Sequence, residues 1–440
     1  MALMRIPHAA RNHPGIGSSD TEVPLWPAVL IVVLAVLPLP KGVSYGLSVY
    51  LLFLAAITWA ASGEKMERSL LRVVLPFGLV IVIGLLGGIG ADRYLYLKDA
   101  WWVSNAAVSV CLGYVLYRCM PELARGLKAF VIAGTLLGLL HLAQFALHPE
   151  LLSMNAGAIR ERIGFGPIPS ALAFTILCAY FGRWSEHLKM PRWIALACLA
   201  ICLAAVISSF SRQLLMLSVI GALAAAGVFA RREWLRFGLI ALVLGMSLAL
   251  LRLSVDIDTG KFQDSFLGKL ARIPEELGIG DYSDRASIVA NYRGYETSRA
   301  LETYTSGTPV QVLLGQGFGK QLDLDLFIAL GWGDTGERER IHFAPILHNG
   351  YAYLLFKAGP ISLVMVAYAL AWLYVTGRRK AGGGPNQPLR APGRILQAVA
   401  LSLAFYTWVS MGVFAGGPYM LVAGFLLGAL SRSSVSRMHS

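Results

Sequence analysis

Apolar runs of about twenty residues recur along most of this chain, and they restrict its fold more than any other feature. A helix needs roughly 20 apolar residues to cross the ~30 Å hydrocarbon core of a bilayer. Of the 440 residues, 56% are hydrophobic and only 14% are charged, too few charges to cover a soluble domain of this length. Backbone polar groups in lipid must be satisfied within their own segment, and the alternating strands of a membrane barrel are not seen in the sequence. We therefore expect an all-α, polytopic membrane protein.

The apolar runs predict about twelve transmembrane helices. Their ranges are 23–40, 43–61, 70–90, 101–117, 129–147, 167–181, 193–207, 214–229, 237–252, 360–376, 395–413 and 417–431. The first run begins at Val23 and has no small-residue cleavage site after it, so we expect it to remain as a span. The chain then divides into a bundle of nine spans (1–252), a large loop with helices and a membrane-edge half-helix (253–359), and a bundle of three spans (360–440).

Basic residues in the short connecting segments alternate between the two sides of this arrangement. One side, with both termini, carries 21 Lys and Arg residues, and the other carries six. The positive-inside rule makes the first side cytoplasmic. We therefore expect a multi-pass protein of the bacterial inner membrane with the large loop in the periplasm. The net charge of +13 then reflects topology and contact with membrane lipids, not nucleic acid.

Several arginines occupy the outer face, where the same rule should deplete them. An arginine in a short outer loop either snorkels to lipid headgroups or binds an anionic ligand, and both interpretations stay open. In the large loop, apolar spacing predicts helices over Phe262–Leu277 and Arg285–Tyr304. The outer-face candidates are Arg160 and Arg162 before the sixth span, Arg212 after the seventh, and Arg285 and Arg293 in the large loop.

A histidine precedes the tenth span. His348 is followed by an apolar stretch to Lys357 and a break at Gly359-Pro360, which is too short to span and predicts a half-helix at the outer membrane edge. At a helix N-terminus the dipole favours neutral imidazole, the form that a general base needs. A structural hydrogen-bonding role is the alternative. The nearby arginines, without another titratable cluster on the outer face, favour catalysis.

Two patterns in the loop are weaker. The sequence from Gly315 to Gly319 (GQGFG) is similar to a phosphate loop, but it lacks a strand–helix context, so a tight turn is the better interpretation. Asp323 and Asp325 could ligate a metal, yet alternating carboxylates are common in loops. Zinc-type Cys/His spacing is missing. We therefore expect no metal and no other cofactor.

Three motifs in order resemble those of the O-antigen ligase/polymerase superfamily, across residues 160–375. They are Ser-Phe-Ser ending at Arg212, the long loop followed by GQGFG, and His-Asn-Gly-Tyr from His348 to Tyr351. The resemblance is greatest to the O-antigen ligases. It implies a fold of about twelve spans related to the GT-C membrane glycosyltransferases. It also implies metal-independent transfer of O-antigen from undecaprenyl pyrophosphate (the donor) to a sugar hydroxyl of lipid A–core (the acceptor), which completes lipopolysaccharide.

The same resemblance implies roles for individual residues. His348 corresponds to the histidine proposed to deprotonate the acceptor hydroxyl, and Arg212 to the arginine expected at the pyrophosphate. Arg285 is the first choice and Arg293 the second for the loop arginine, and Arg162 is preferred to Arg160 before the sixth span. The supporting residues are Ser211, Asn349 and Tyr351.

Three alternatives remain. O-antigen polymerases use the same donor, but they have two large outer loops with an Arg-x10-Gly pattern that the arginines of this loop do not match. A protein O-oligosaccharyltransferase shares the His and Arg features. A lipid or solute transporter, from a different class, would place charges at mid-membrane in broken helices, whereas the predicted spans are almost free of charge.

Overall fold

The structure of the protein, a computed structural model, describes residues 67–119, 122–154, 167–228, 291–330, 339–382, 389–415 and 417–435, with isolated positions at 159, 162–163, 282 and 287–288. These residues are mostly helical. The helices are α1 (Arg68–Gly87), α2 (Arg93–Cys119), α3 (Leu123–Leu147), α4 (Ile168–Ala179), α5 (Trp184–His187), α6 (Arg192–Ser208), α7 (Arg212–Ala226), α8 (Tyr292–Thr305), α9 (Pro309–Leu314), α10 (Gly350–Ala381), α11 (Arg390–Ser410), α12 (Gly412–Ala415) and α13 (Gly417–Val435).

Four of these helices, α1, α2, α3 and α10, are long and apolar enough to cross a membrane. Shorter apolar helices are α4, α6, α7 and most of α13. Each predicted span that falls within the described residues overlaps a helix, which confirms a predominantly helical, membrane-embedded class. The spans predicted at 23–40, 43–61 and 237–252, and the loop helix predicted at 262–277, lie outside the described residues. The total of twelve stays a prediction.

Helix α1 illustrates why the apolar pattern is typical of a membrane helix. Its inner face is fully buried at Leu70, Val73, Phe77 and Val80. Its opposite face is apolar too, with the exposed fraction ranging from 42% to 62% at Leu75, Leu79, Val82 and Leu86. A helix that is hydrophobic on every face needs protein on one side and lipid on the other.

Glycines allow α2 and α13 to approach each other closely. A Cβ atom on Gly113 of α2 would lie 1.8 Å from the Leu421 carbonyl oxygen of α13, and one on Gly424 would lie 1.9 Å from the Val110 carbonyl oxygen. Side chains at these two positions would push the helices apart. In lipid, where the hydrophobic effect between helices is weak, such close backbone approach is a main source of helix–helix attraction.

The large loop adds one small two-stranded sheet to this mostly helical protein. Strand β1 (Leu322–Leu330) pairs antiparallel with β2 (Glu339–Ala344). Leu322 and Leu324 are fully buried, while Asp323 and Asp325 point outward. This alternation has the period of two that is typical of a strand with one buried face. The two aspartates stand out in the sequence because they form the exposed side of that strand.

Candidate active site

The half-helix predicted before the tenth span is present. Helix α10 begins at Gly350, and its backbone leaves helical geometry at Ala358 (φ −139°) and Gly359 (φ 68°) before it continues to Ala381. Asn349 is the N-cap: its Oδ1 accepts from the backbone N–H of Tyr351 at 3.0 Å and of Ala352 at 3.2 Å. Residues 350–357 therefore form a separate two-turn segment, called the half-helix below.

His348 lies immediately before that cap and contacts a buried carboxylate. Its Nδ1 is 3.1 Å from Glu296 Oε2, and its backbone N–H donates to the same oxygen at 2.6 Å. The Glu296 side chain is 1% exposed, whereas that of His348 is 40% exposed. Two contacts from one residue to one carboxylate oxygen fix the ring relative to α8. A carboxylate thus faces the imidazole, in addition to the helix dipole that the sequence predicts there.

The other Glu296 oxygen is held by a tyrosine. The Tyr292 hydroxyl lies 3.3 Å from Oε1, and the Tyr292 ring packs edge-on against the His348 imidazole with centroids 5.7 Å apart. Burial raises the pKa of Tyr292, and the Glu296 carboxylate raises it further. The hydroxyl therefore stays protonated and donates. A carboxylate so occupied accepts from Nδ1–H of His348, the tautomer that leaves the Nε2 lone pair available.

Helix α8 supplies this carboxylate, and it begins later than the sequence indicates. Asn291 has non-helical backbone angles and caps α8 by accepting from the Gly294 N–H at 3.2 Å. The helix predicted over Arg285–Tyr304 is therefore confirmed from Tyr292 onward and interrupted at Asn291, while Arg285 lies outside the described residues. Arg299 forms ion pairs with Glu302 and Asp325.

Arg293, in the first turn of α8, reaches a second helix. Gln213 is assigned the amide orientation that turns its oxygen toward the guanidinium. In that orientation the amide oxygen accepts from Arg293 Nη1 at 3.0 Å and from Nη2 at 3.2 Å. Gln213 follows Arg212 directly in α7. Since residues three apart on a helix are neighbours, Arg293 and Glu296 share one surface of α8. Arg293 and the carboxylate that contacts His348 thus lie side by side on this helix.

Arg212 is the first residue of α7, and the local sequence explains its position. Ser211 is the N-cap, and its Oγ accepts from the Leu214 N–H at 3.4 Å. Phe210 turns the chain with a left-handed φ of 48°. An anion near this helix N-terminus would interact favourably with both the dipole and the guanidinium. The cap also gives Ser211 a structural role.

The remaining candidates lie elsewhere or have other partners. Arg160 and Arg285 lie outside the described residues. Arg162 pairs with Glu150 at 3.3 Å, and both side chains are about half exposed. The Tyr351 hydroxyl donates to the Ala404 carbonyl at 2.9 Å and so joins α10 to α11. The described residues include no cluster of three or more His, Cys, Asp or Glu side chains suited to a metal ion.

Sequence reasoning missed two residues of this site, Glu296 and Gln213. Glu296 lies four positions after Tyr292 and four before Ala300, so helical spacing puts it on the apolar face that those two residues mark. A carboxylate on an apolar face was the available signal. Gln213 gave none, because only the packing of α7 brings it to Arg293.

The phosphate-loop interpretation of GQGFG is excluded by its own backbone. The N–H groups of residues 316 to 319 donate, in order, to the carbonyls of Phe356, Lys357 and Gly84 and to the Asp99 carboxylate. Gly315, Gly317 and Gly319 all have positive φ, between 76° and 89°. With these four amides bonded within the protein, the segment is a set of tight turns.

Comparison with known proteins adds no family assignment. No family model matches the chain, and no curated protein matches it.

Proposed function

We propose that this chain is a membrane glycosyltransferase of the O-antigen ligase type. It transfers O-antigen from undecaprenyl pyrophosphate to a sugar hydroxyl of lipid A–core at the outer face of the bacterial inner membrane. The observation that carries the proposal is the surface of α8. One turn of this helix holds Arg293, which contacts the residue after Arg212, and Glu296, which contacts His348.

The chemistry requires a base at the acceptor and positive charge at the leaving group. His348 Nε2 takes the proton as the acceptor oxygen bonds to the anomeric carbon of the donor. The bond from that carbon to the pyrophosphate oxygen breaks, and its electron pair leaves with the lipid pyrophosphate. The carboxylate of Glu296 stabilises the imidazolium, as in other carboxylate–histidine pairs. Arg212 and Arg293 stabilise the departing pyrophosphate, a task that suits the planar fork of guanidinium.

The buried charges of the described spans also bear on the transporter alternative. Asp99 and Lys357 form a buried ion pair, but both lie outside the predicted spans 101–117 and 360–376, so the nearly charge-free spans stay a prediction. Both residues belong to the outer parts of their helices, Asp99 near the start of α2 and Lys357 at the end of the half-helix. Lys357 lies beside the break in α10, but we place the pair at the outer membrane edge, short of both predicted spans, whereas transporters carry such charges at mid-membrane. This position favours the enzyme proposal.

The decisive experiment is a transfer assay with purified protein in lipid nanodiscs. Labelled lipid-linked glycan is incubated with lipid A–core, with a second lipid-linked glycan, or with a serine-containing acceptor peptide. We expect product only with lipid A–core, and loss of product in His348→Gln by a factor of about 10² to 10⁴, the usual contribution of a general base. Elongated lipid-linked glycan would instead indicate a polymerase, and glycosylated peptide a protein oligosaccharyltransferase.

A further inference from the structure

Away from His348, a buried ion pair joins α2 to α10. Lys357 Nζ lies 2.6 Å from Asp99 Oδ2, and the two side chains are 1% and 3% exposed. Removing two charges from water costs several kcal/mol per ion unless close pairing and further hydrogen bonds offset it. Neither group takes part in the proposed chemistry.

The remaining hydrogen bonds of this pair come from two segments of the chain. Asp99 Oδ1 accepts from the Tyr353 hydroxyl at 2.8 Å, and Oδ2 also accepts from the Gly319 N–H at 2.7 Å. Lys357 donates to the Lys320 carbonyl as well. Asp99 thus joins α2 to the GQGFG turns and to two positions on the half-helix.

The half-helix needs an external support because α10 is broken directly after it. The carbonyls of Phe356 and Lys357 accept from the N–H groups of Gln316 (2.6 Å) and Gly317 (3.1 Å) in the GQGFG turns. A Cβ atom on Gly359 would lie 2.3 Å from the Leu313 carbonyl oxygen, so a helix carrying any other residue there could not approach so closely. The orientation of the half-helix therefore depends on this junction as well as on its N-terminal packing.

We infer that Asp99 and Lys357 are a positioning pair that holds the half-helix, and through it His348, in the reactive geometry. The inference rests on the proposed function. Eight residues of helical rise, about 12 Å, separate Lys357 from the Asn349 cap that follows His348, so the pair acts through the half-helix and not on substrate. A displacement of about 1 Å at a reacting group can cost about 10² in rate.

This role predicts a separation of turnover from donor binding. Arg212 and Arg293 lie on α7 and α8, so loss of the pair leaves the pyrophosphate contacts in place. We expect kcat to fall at least 30-fold while KM for the lipid donor stays within about twofold, in line with a loss confined to the transition state. A purely structural pair would instead reduce the amount of folded, donor-binding protein.

The test uses Asp99→Asn, Lys357→Met and the double variant in nanodiscs, with Thr135→Val as a control for the loss of a buried hydrogen bond on α3. In the double variant no buried charge is left unpaired, and the asparagine oxygen can still accept from Gly319. Kinetic constants are normalised to donor-binding sites. Recovery of wild-type kcat in the double variant, or a rise in KM that matches the fall in kcat, would overturn the inference.

A second readout does not depend on activity. Hydrogen exchange followed by mass spectrometry should show faster exchange in peptides covering 350–357 and 315–320 in Lys357→Met, and unchanged exchange in α8 and α11. Unchanged protection of the half-helix from hydrogen exchange would refute the positioning role, even if turnover fell. If the wild type transfers no glycan, the proposed function fails, and hydrogen exchange alone still decides whether the pair holds the half-helix.

Discussion

Glu296→Gln is the substitution that examines the candidate site most directly. Glutamine keeps the shape of the side chain and removes its charge. Its oxygen can accept from the His348 N–H, and its amide nitrogen can donate to the Tyr292 hydroxyl, which rotates to accept. The fold around the cap of α10 should therefore survive, and the change isolates the carboxylate.

The size of the effect follows from the geometry. Two unit charges about 4 Å apart interact by about 4 kcal/mol at an effective dielectric constant of roughly 20. The His348 side chain is 40% exposed, so solvent screens part of that attraction. We take about 2 to 3 kcal/mol as the lost stabilisation of the imidazolium that forms when His348 accepts the proton. Each 1.36 kcal/mol is tenfold in rate, so kcat should fall by about 30- to 150-fold.

The assay is steady-state glycan transfer at saturating acceptor, with the donor concentration varied. We expect KM for the donor to change by less than about twofold, because Arg212 and Arg293 are untouched. Glu302→Gln, on an exposed position of the same helix, is the matched control and should keep near-wild-type turnover. If Glu296→Gln retained turnover within about threefold of wild type, the carboxylate–histidine pair would have no part in the reaction.

Four further outcomes are expected. Arg212→Ala and Arg293→Ala should each raise the KM for the donor and lower kcat. Lysine at either position should restore activity only in part, because a point charge cannot reproduce the planar fork of guanidinium. Full activity of the lysine variants in donor titrations would contradict bidentate phosphate binding. Phe318→Ala removes a fully buried ring that packs on Gly84 and should destabilise the protein by about 3 to 5 kcal/mol. An unchanged Tm in detergent would show that the packing of the GQGFG turns on α1 does not stabilise the protein. A reporter fused after Gly382 should be cytoplasmic and one near Gly307 periplasmic, and a periplasmic readout at Gly382 would reverse the orientation. Transfer should survive exhaustive chelation, whereas loss with EDTA and recovery with Mg²⁺ would refute the arginine mechanism.

Local features of the sequence were sufficient for the helical membrane class and for the half-helix. Hydropathy over about twenty residues is a sum over neighbours in the chain, so it predicts α1, α2 and α3 without tertiary information. The break at Gly359-Pro360 is also local, because proline cannot continue the hydrogen-bond ladder of a helix. The strand β1 was readable in principle from its alternating leucines and aspartates. The same alternation of carboxylates is common in loops, so the sequence alone does not distinguish the two.

The contacts of the candidate site needed the tertiary structure. Glu296 and His348 are 52 residues apart, and Asp99 and Lys357 are 258 apart. No local pattern couples such positions, because their proximity depends on how α8 and α2 pack against α10. Hydropathy predicts that His348 lies at the membrane edge, whereas only packing decides that the buried carboxylate of Glu296 faces its ring. The same holds for Arg293, a candidate in the predicted loop helix, because its contact with Gln213 depends on the meeting of α7 and α8.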